Sequence, residues 1–115
     1  MQVLGGAVEY AIARRTPRYY FAVDIEVTDL RSGTCLKART TSLGRFGCGI
    51  DVPRPFARGT DVFIKISHRG ADVNVHARVV YATPESGMGM VFIGLDRNNE
   101  RILDSWIEHM MSTSA

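Results

Sequence analysis

No stretch of the sequence approaches the roughly 20 consecutive apolar residues that a membrane-spanning helix needs. The opening carries no lysine or arginine before Arg14, so it lacks the charged start of a secretory signal, and the cytoplasm is the expected location. Cysteine is scarce: Cys35 and Cys48 form no CxxC pair, and two thiols without two well-placed histidines build no zinc site. Both read as reduced, buried, hydrophobe-like side chains. Signatures of catalysis are missing too. There is no GxSxG, no HExxH and no GxxxxGKS/T. His68, His76 and His109 share no ligand spacing and read as solvated or singly hydrogen-bonded. The expectation is a binding domain with no catalytic residue, no metal and no cofactor.

What is present suits one small folded unit. The chain has 115 residues and 45% of them are apolar, enough for one core and too few residues for a second. No internal repeat or low-complexity linker divides it. The net charge of +2 is too small to announce nucleic acid or an anionic membrane. Its make-up is more informative: twelve of the fourteen cations are arginine, whose planar fork suits phosphates and base edges better than lysine's point charge.

Hydrophobic alternation dominates the middle of the chain. Phe21, Val23, Ile25 and Val27 share one face, with Asp24, Glu26 and Thr28 on the other, which predicts a half-buried strand. Arg31-Ser32-Gly33 turns the chain into a second strand, where Leu36, Ala38 and Thr40 alternate with Lys37, Arg39 and Thr41. A glycine-rich step leads to a third strand through Ile50 and Val52, ended by Pro53 and Pro55. A fourth strand carries Val62, Ile64 and Ile66. Beyond Arg69-Gly70 a fifth puts Val73, Val75, Ala77, Val79 and Tyr81 on one face. A sixth runs from Met88 to Ile93. The period then changes, and Ile102, Leu103, Trp106, Ile107, Met110 and Met111 predict an amphipathic helix capped by Asp96. Six short strands with regular turns and no intervening helix predict an all-β antiparallel barrel, with the helix packed over an open end.

Two segments stand out as candidate binding elements. Arg14-Arg15-Thr16-Pro17-Arg18 lies just before the first strand. Pro17 stiffens the loop and biases Thr16 to an extended shape, so several guanidinium groups share a constrained segment able to clamp a phosphate diester. The alternative is a solvated basic approach to the domain. Ser42-Leu43-Gly44-Arg45-Phe46-Gly47, followed by Cys48-Gly49, lies between the second and third strands. Its glycines permit positive φ and close approach of a ligand to backbone amides. The alternative there is a tight hairpin or bulge.

Together, in this order and on this strand pattern, the two segments resemble the PilZ domain. The resemblance covers residues 14 to about 111. Arg14 and Arg18 match its RxxxR signature, with Arg15 as the common additional arginine. Its D/N-x-S-x-x-G signature falls on Ser42 to Gly47, and Met88-Gly89-Met90-Val91-Phe92 is similar to its closing strand. The resemblance implies a six-stranded antiparallel PilZ-like β-barrel with a C-terminal helix, in a bacterial receptor for cyclic di-GMP. It implies a domain over 14–115, with residues 1–13 as a tail or a short helix from Ala7 to Arg14. It also implies ligand contacts at Arg14, Arg15, Arg18, Ser42, Gly44 and Gly47.

Ser42 stands where the family has Asp or Asn, and Gly44 where it has Ser. Arginine makes bidentate pairs with guanine O6 and N7, and a carboxylate accepts from guanine N1 and N2. Ser42 supplies one such bond and Gly44 only backbone. Each lost hydrogen bond costs about 1–3 kcal/mol, which is about five- to 150-fold in affinity. Two readings follow. One is a cyclic di-GMP receptor that changes its surface on binding and so signals to a protein partner. The other is a degenerate barrel that binds a protein and no nucleotide. A nucleic-acid-binding barrel is disfavoured, because no aromatic platform is visible.

Overall fold

A computed structural model describes residues 18–114, with side chains from 19 to 111. The strands are β1 (Arg18–Tyr19), β2 (Asp24–Asp29), β3 (Cys35–Gly44), β4 (Gly47–Ile50), β5 (Asp61–His68), β6 (Ala71–Thr83) and β7 (Gly87–Ile93). One helix, α1 (Arg97–Ser114), follows. The strands run in the order β1-β3-β2-β5-β6-β7-β4, and a further β3–β4 pairing joins the ends. Strands β2 to β7 therefore form a closed six-stranded antiparallel barrel, which leaves no sheet edge exposed along the ring. The two-residue β1 is an extra strand laid against the end of β3.

The predicted alternation fills the barrel. Ile25, Val27, Val62, Ile64, Ile66 and Val73 are buried in one core, with Met88 and Met90 from β7. Each aliphatic side chain removed from water contributes about 1.5–3 kcal/mol. The turns use local chemistry. The Asp29 carboxylate accepts from the amides of Arg31 (2.8 Å) and Ser32 (3.3 Å), an Asx turn that leads into Gly33 at φ 79°. Arg69 and Gly70, at φ 52° and 77°, form the two-residue link between β5 and β6.

Asp96 caps α1, as the sequence predicts: its carboxylate accepts from the Asn99 amide at 2.8 Å. Asn99 then accepts from the Asn74 amide at 2.8 Å, which ties the first turn of the helix to β6. Leu103, Trp106, Ile107 and Met110 join the barrel core. The helix thus covers the end of the barrel that carries the β3–β4 and β5–β6 turns. Among the described residues no helix is long and apolar enough to cross a membrane.

Several sequence expectations need correction. Cys48 is buried, but Cys35 is exposed at the start of β3; neither is in a disulfide. Met111 is half exposed, because the apolar stripe turns away from the barrel there. Strand β4 stops at Ile50, although Val52 still reaches the core. Tyr81 does not share the face of Val79. A register shift between Val79 and Tyr81 inserts one residue, and Tyr81 packs instead with Val80 and Val91 in a cluster apart from the main core.

Candidate functional site

The glycine-rich segment is mostly strand rather than loop. Ser42, Leu43 and Gly44 end β3, Gly47 opens β4, and only Arg45 and Phe46 lie in the turn between them. Among the described residues the glycines at positive φ are 33, 59, 70, 87 and 94, so Gly44, Gly47 and Gly49 sit in extended backbone. Their contribution is the missing side chain and not an unusual φ.

A second bulge sets which way the segment faces. Thr40 pairs with Ile50 and Ser42 with Gly49, which leaves Thr41 as the extra residue. Thr40 is buried, and strict alternation from it would carry Ser42 inward. The inserted Thr41 reverses the phase, so Leu43 and Cys48 are buried while Ser42 is partly exposed on the outer wall.

The register around the ring lines up four residues across four strands. Ser42 on β3 faces Gly49 on β4, Gly49 faces Gly89 on β7, and Gly89 faces Tyr81 on β6. The two glycines leave a trough in the outer wall. The Tyr81 ring lies in it: a methyl group at Gly89 would fall 1.9 Å from Tyr81 Cε2. A methyl at Gly49 would fall 3.1 Å from Ser42 Oγ, 3.3 Å from Tyr81 Oη and 3.4 Å from Thr41 Oγ1. Three hydroxyls thus surround one point on the outer face of β4. Sequence alternation alone places Tyr81 on the face of Val79. The signal that would have found it is the glycine at every second position in Gly47-Cys48-Gly49 and Gly87-Met88-Gly89.

The arginine segment meets this wall at one described point. In the β1–β3 pairing Arg18 stands opposite Gly44, and Tyr19 opposite Leu43. Thr40 holds the chain between β1 and β2. Its hydroxyl accepts from the Val23 amide at 3.0 Å and donates to the Phe21 carbonyl, and its own amide donates to the Val23 carbonyl at 2.9 Å. Arg14 and Arg15 lie outside the described residues. So does the expected helix from Ala7 to Arg14.

Arg45, at the tip of the β3–β4 turn, reaches the helix, with its Nε 3.3 Å from Asp104 Oδ1. Phe46 beside it is half exposed, and Tyr20, just past β1, is almost wholly exposed. At the same end His68 packs edge-on between Phe21 and Trp106, with ring centroids 4.9 and 5.5 Å away. Burial, then the nearby charges of Arg69 and His109, hold its pKa below 6.5. Arg69 Nη2 lies 3.3 Å from His109 Nε2; a guanidinium only donates, so this ring nitrogen is the acceptor. Among the described residues no three His, Cys, Asp or Glu side chains converge as a metal site would require. An open recess of about 610 Å³ at the opposite barrel end, lined by Asp29, Arg58 and Asp61 among others, contains none of the motif residues.

A closed antiparallel barrel with one covering helix, a glycine trough in its outer wall and Arg18 paired with Gly44 at its rim defines a small all-β barrel domain. The sequence model of the PilZ domain family matches residues 13–109, so the chain belongs to the PilZ domain family. No curated protein matches it. Solved structures share the fold. The PilZ domain of CeSA from a cellulose-synthesizing bacterium superposes with a TM-score of 0.65 at 16% identity, covering 87% of this chain and 100% of that one. The PilZ domain of YcgR from Escherichia coli, solved with c-di-GMP, gives 0.70 at 15% identity and covers 88% and 93%. The inhibitor of motility MotI/DgrA of Bacillus subtilis gives 0.68 at 13% identity over 86% of this chain, which spans about half (52%) of that protein.

Proposed function

We propose that this PilZ domain is a cytoplasmic receptor for cyclic di-GMP, without enzymatic activity, that reports the ligand to a protein partner by changing its surface. The domain runs over 14–115, and residues 1–13 form its leading tail or short helix. Arg14, Arg15 and Arg18 grip the two phosphates and pair with guanine. Ser42, Gly44 and Gly47 form the floor on the barrel wall.

The observation that carries this reading is the pairing of Arg18 with Gly44. It joins one residue of the first signature to one of the second, which lie far apart in sequence. Arg14 is four residues before Arg18, within about 14 Å of it even if the chain is fully extended. All three arginines therefore remain within reach of a dinucleotide seated on the outer faces of β3 and β4. Gly44 and Gly47, both buried in extended strand backbone, carry no side chain that would hold a flat base away from the wall. Closing the arginines over the ligand would change the surface near α1, whose Asp104 already pairs with Arg45.

Calorimetric titration with cyclic di-GMP tests the proposal. Heat of binding at micromolar concentration or below, weakened by Arg18→Ala and by added salt, is the expected result. No heat, or an unaffected Arg18→Ala variant, removes it. The absence of Asp or Asn at Ser42 and of Ser at Gly44 favours a second reading, a barrel that binds a protein and no nucleotide. That reading predicts a melting temperature unchanged by cyclic di-GMP.

A further inference from the structure

We propose that Tyr81 is a ligand-contacting, specificity-determining residue: its hydroxyl, with those of Ser42 and Thr41, forms a neutral polar clasp for the edge of a guanine. The proposal rests on the cyclic di-GMP reading and adds to it a residue outside both sequence signatures.

The geometry begins with the two glycines. Because Gly89 has no side chain, the Tyr81 ring lies across β7 instead of standing away from the barrel. Because Gly49 has none, the ring's hydroxyl ends 3.3 Å from the point where that side chain would begin. Ser42 Oγ and Thr41 Oγ1 approach the same point at 3.1 and 3.4 Å. Residues from β3 and β6, on opposite sides of β4 and β7, are thereby brought to one place. That place is on the same outer wall as Gly44, the register partner of Arg18.

The chemistry complements what the second signature lacks. A carboxylate accepts two hydrogen bonds from guanine N1–H and N2–H. Ser42 alone accepts one. A tyrosine hydroxyl beside it provides another acceptor through its oxygen lone pairs, and the serine and threonine hydroxyls can also donate. The clasp can therefore accept from guanine N1 and N2 without a fixed negative charge. A hydroxyl set also tolerates an edge that presents an acceptor, such as N1 of adenine, where a carboxylate would repel it. The site should accordingly discriminate guanine from adenine less sharply than a carboxylate would.

The test is a titration of the whole chain with cyclic di-GMP and, separately, cyclic di-AMP. The proteins are the wild type, Tyr81→Phe, Ser42→Asp and Arg18→Ala. Tyr81→Phe keeps the ring over Gly89, and its melting temperature without ligand checks that the fold is intact. The expected result is a loss of about fivefold or more in cyclic di-GMP affinity for Tyr81→Phe, the worth of one hydrogen bond left unmade. Ser42→Asp is expected to raise the preference for cyclic di-GMP over cyclic di-AMP. If the wild type binds and Arg18→Ala weakens it while Tyr81→Phe binds as tightly as the wild type, the clasp is refuted and the receptor reading stands. If the wild type binds neither dinucleotide, both fall.

Discussion

The ring of Tyr81 occupies the space that a side chain at Gly89 would need: a methyl there would sit 1.9 Å from Cε2 and 2.5 Å from two further ring carbons. Gly89→Ala must therefore displace the ring or strain β7. A cost of about 1–3 kcal/mol is expected from such overpacking. Tyr81→Ala removes the obstacle, so the double variant should lose less stability than the sum of the two single changes. Urea unfolding of all four proteins measures the coupling.

Thr40 fastens the chain between β1 and β2 to β3. Its hydroxyl accepts from the Val23 amide and donates to the Phe21 carbonyl, and the side chain is 2% exposed. Thr40→Val keeps the shape and removes both bonds. Each backbone group left unsatisfied costs about 1–3 kcal/mol. Thr40→Ser should recover most of the loss, which a denaturation series would read directly.

Two turn glycines separate backbone strain from crowding. Gly59 has φ 91° with nothing within 4 Å of an added methyl, whereas Gly87 has φ 76° and an added methyl 2.1 Å from the Ile50 carbonyl oxygen. Gly59→Ala should cost only the strain of the left-handed conformation, about 1–2 kcal/mol. Gly87→Ala should cost clearly more, because rigid backbone of the neighbouring segment must also move. Comparing the two melting temperatures decides it.

Acid should loosen the helix-covered end through His68. Its pKa in the folded chain lies below 6.5, chiefly through burial, so the unfolded chain takes up this proton first as pH falls. The associated stability is present above pH 6.5 and declines as pH drops below that value towards the folded pKa. Asp96 and Asp29 are held below 3.8 by the amides they accept from, Asn99 and Arg31, and lose their contribution only at more acidic pH. Melting temperature recorded from about pH 7.5 to about pH 5.5 should fall in the wild type and fall less in His68→Phe. An equal fall in both would refute the assignment to His68.

The ion pair between Arg45 and Asp104 connects the β3–β4 turn to α1, but its side chains are 55% and 33% exposed. Water screens such a pair, so Asp104→Asn should change stability by less than about 1 kcal/mol. Thermal unfolding at low and high salt checks this. A larger effect would mean that the helix is held at that end by this contact.

Much of the barrel was legible along the chain. The alternation in β2, β5 and the first part of β6 marks the buried face because each strand there runs unbroken beside its partners. The change of period after Asp96 marks the helix. Arg14, Arg15, Arg18, Ser42, Gly44 and Gly47 were named from the sequence, and for Arg18 and Gly44 the register supplies the adjacency. The faces of Ser42 and Tyr81 were not legible. Each lies just past a bulge, and one inserted residue reverses which side every later residue faces.

The sequence by itself determined that this chain makes short antiparallel strands and one amphipathic helix, since those follow from the spacing of apolar residues along it. It also determined which arginines and glycines the chain has for holding a ligand. Only the tertiary structure decided that β3 closes on β4, that Arg18 stands opposite Gly44, and that Tyr81 reaches across two glycines towards Ser42. Those relations join residues distant in sequence through strand register. Register depends on how the whole ring closes and not on any local pattern.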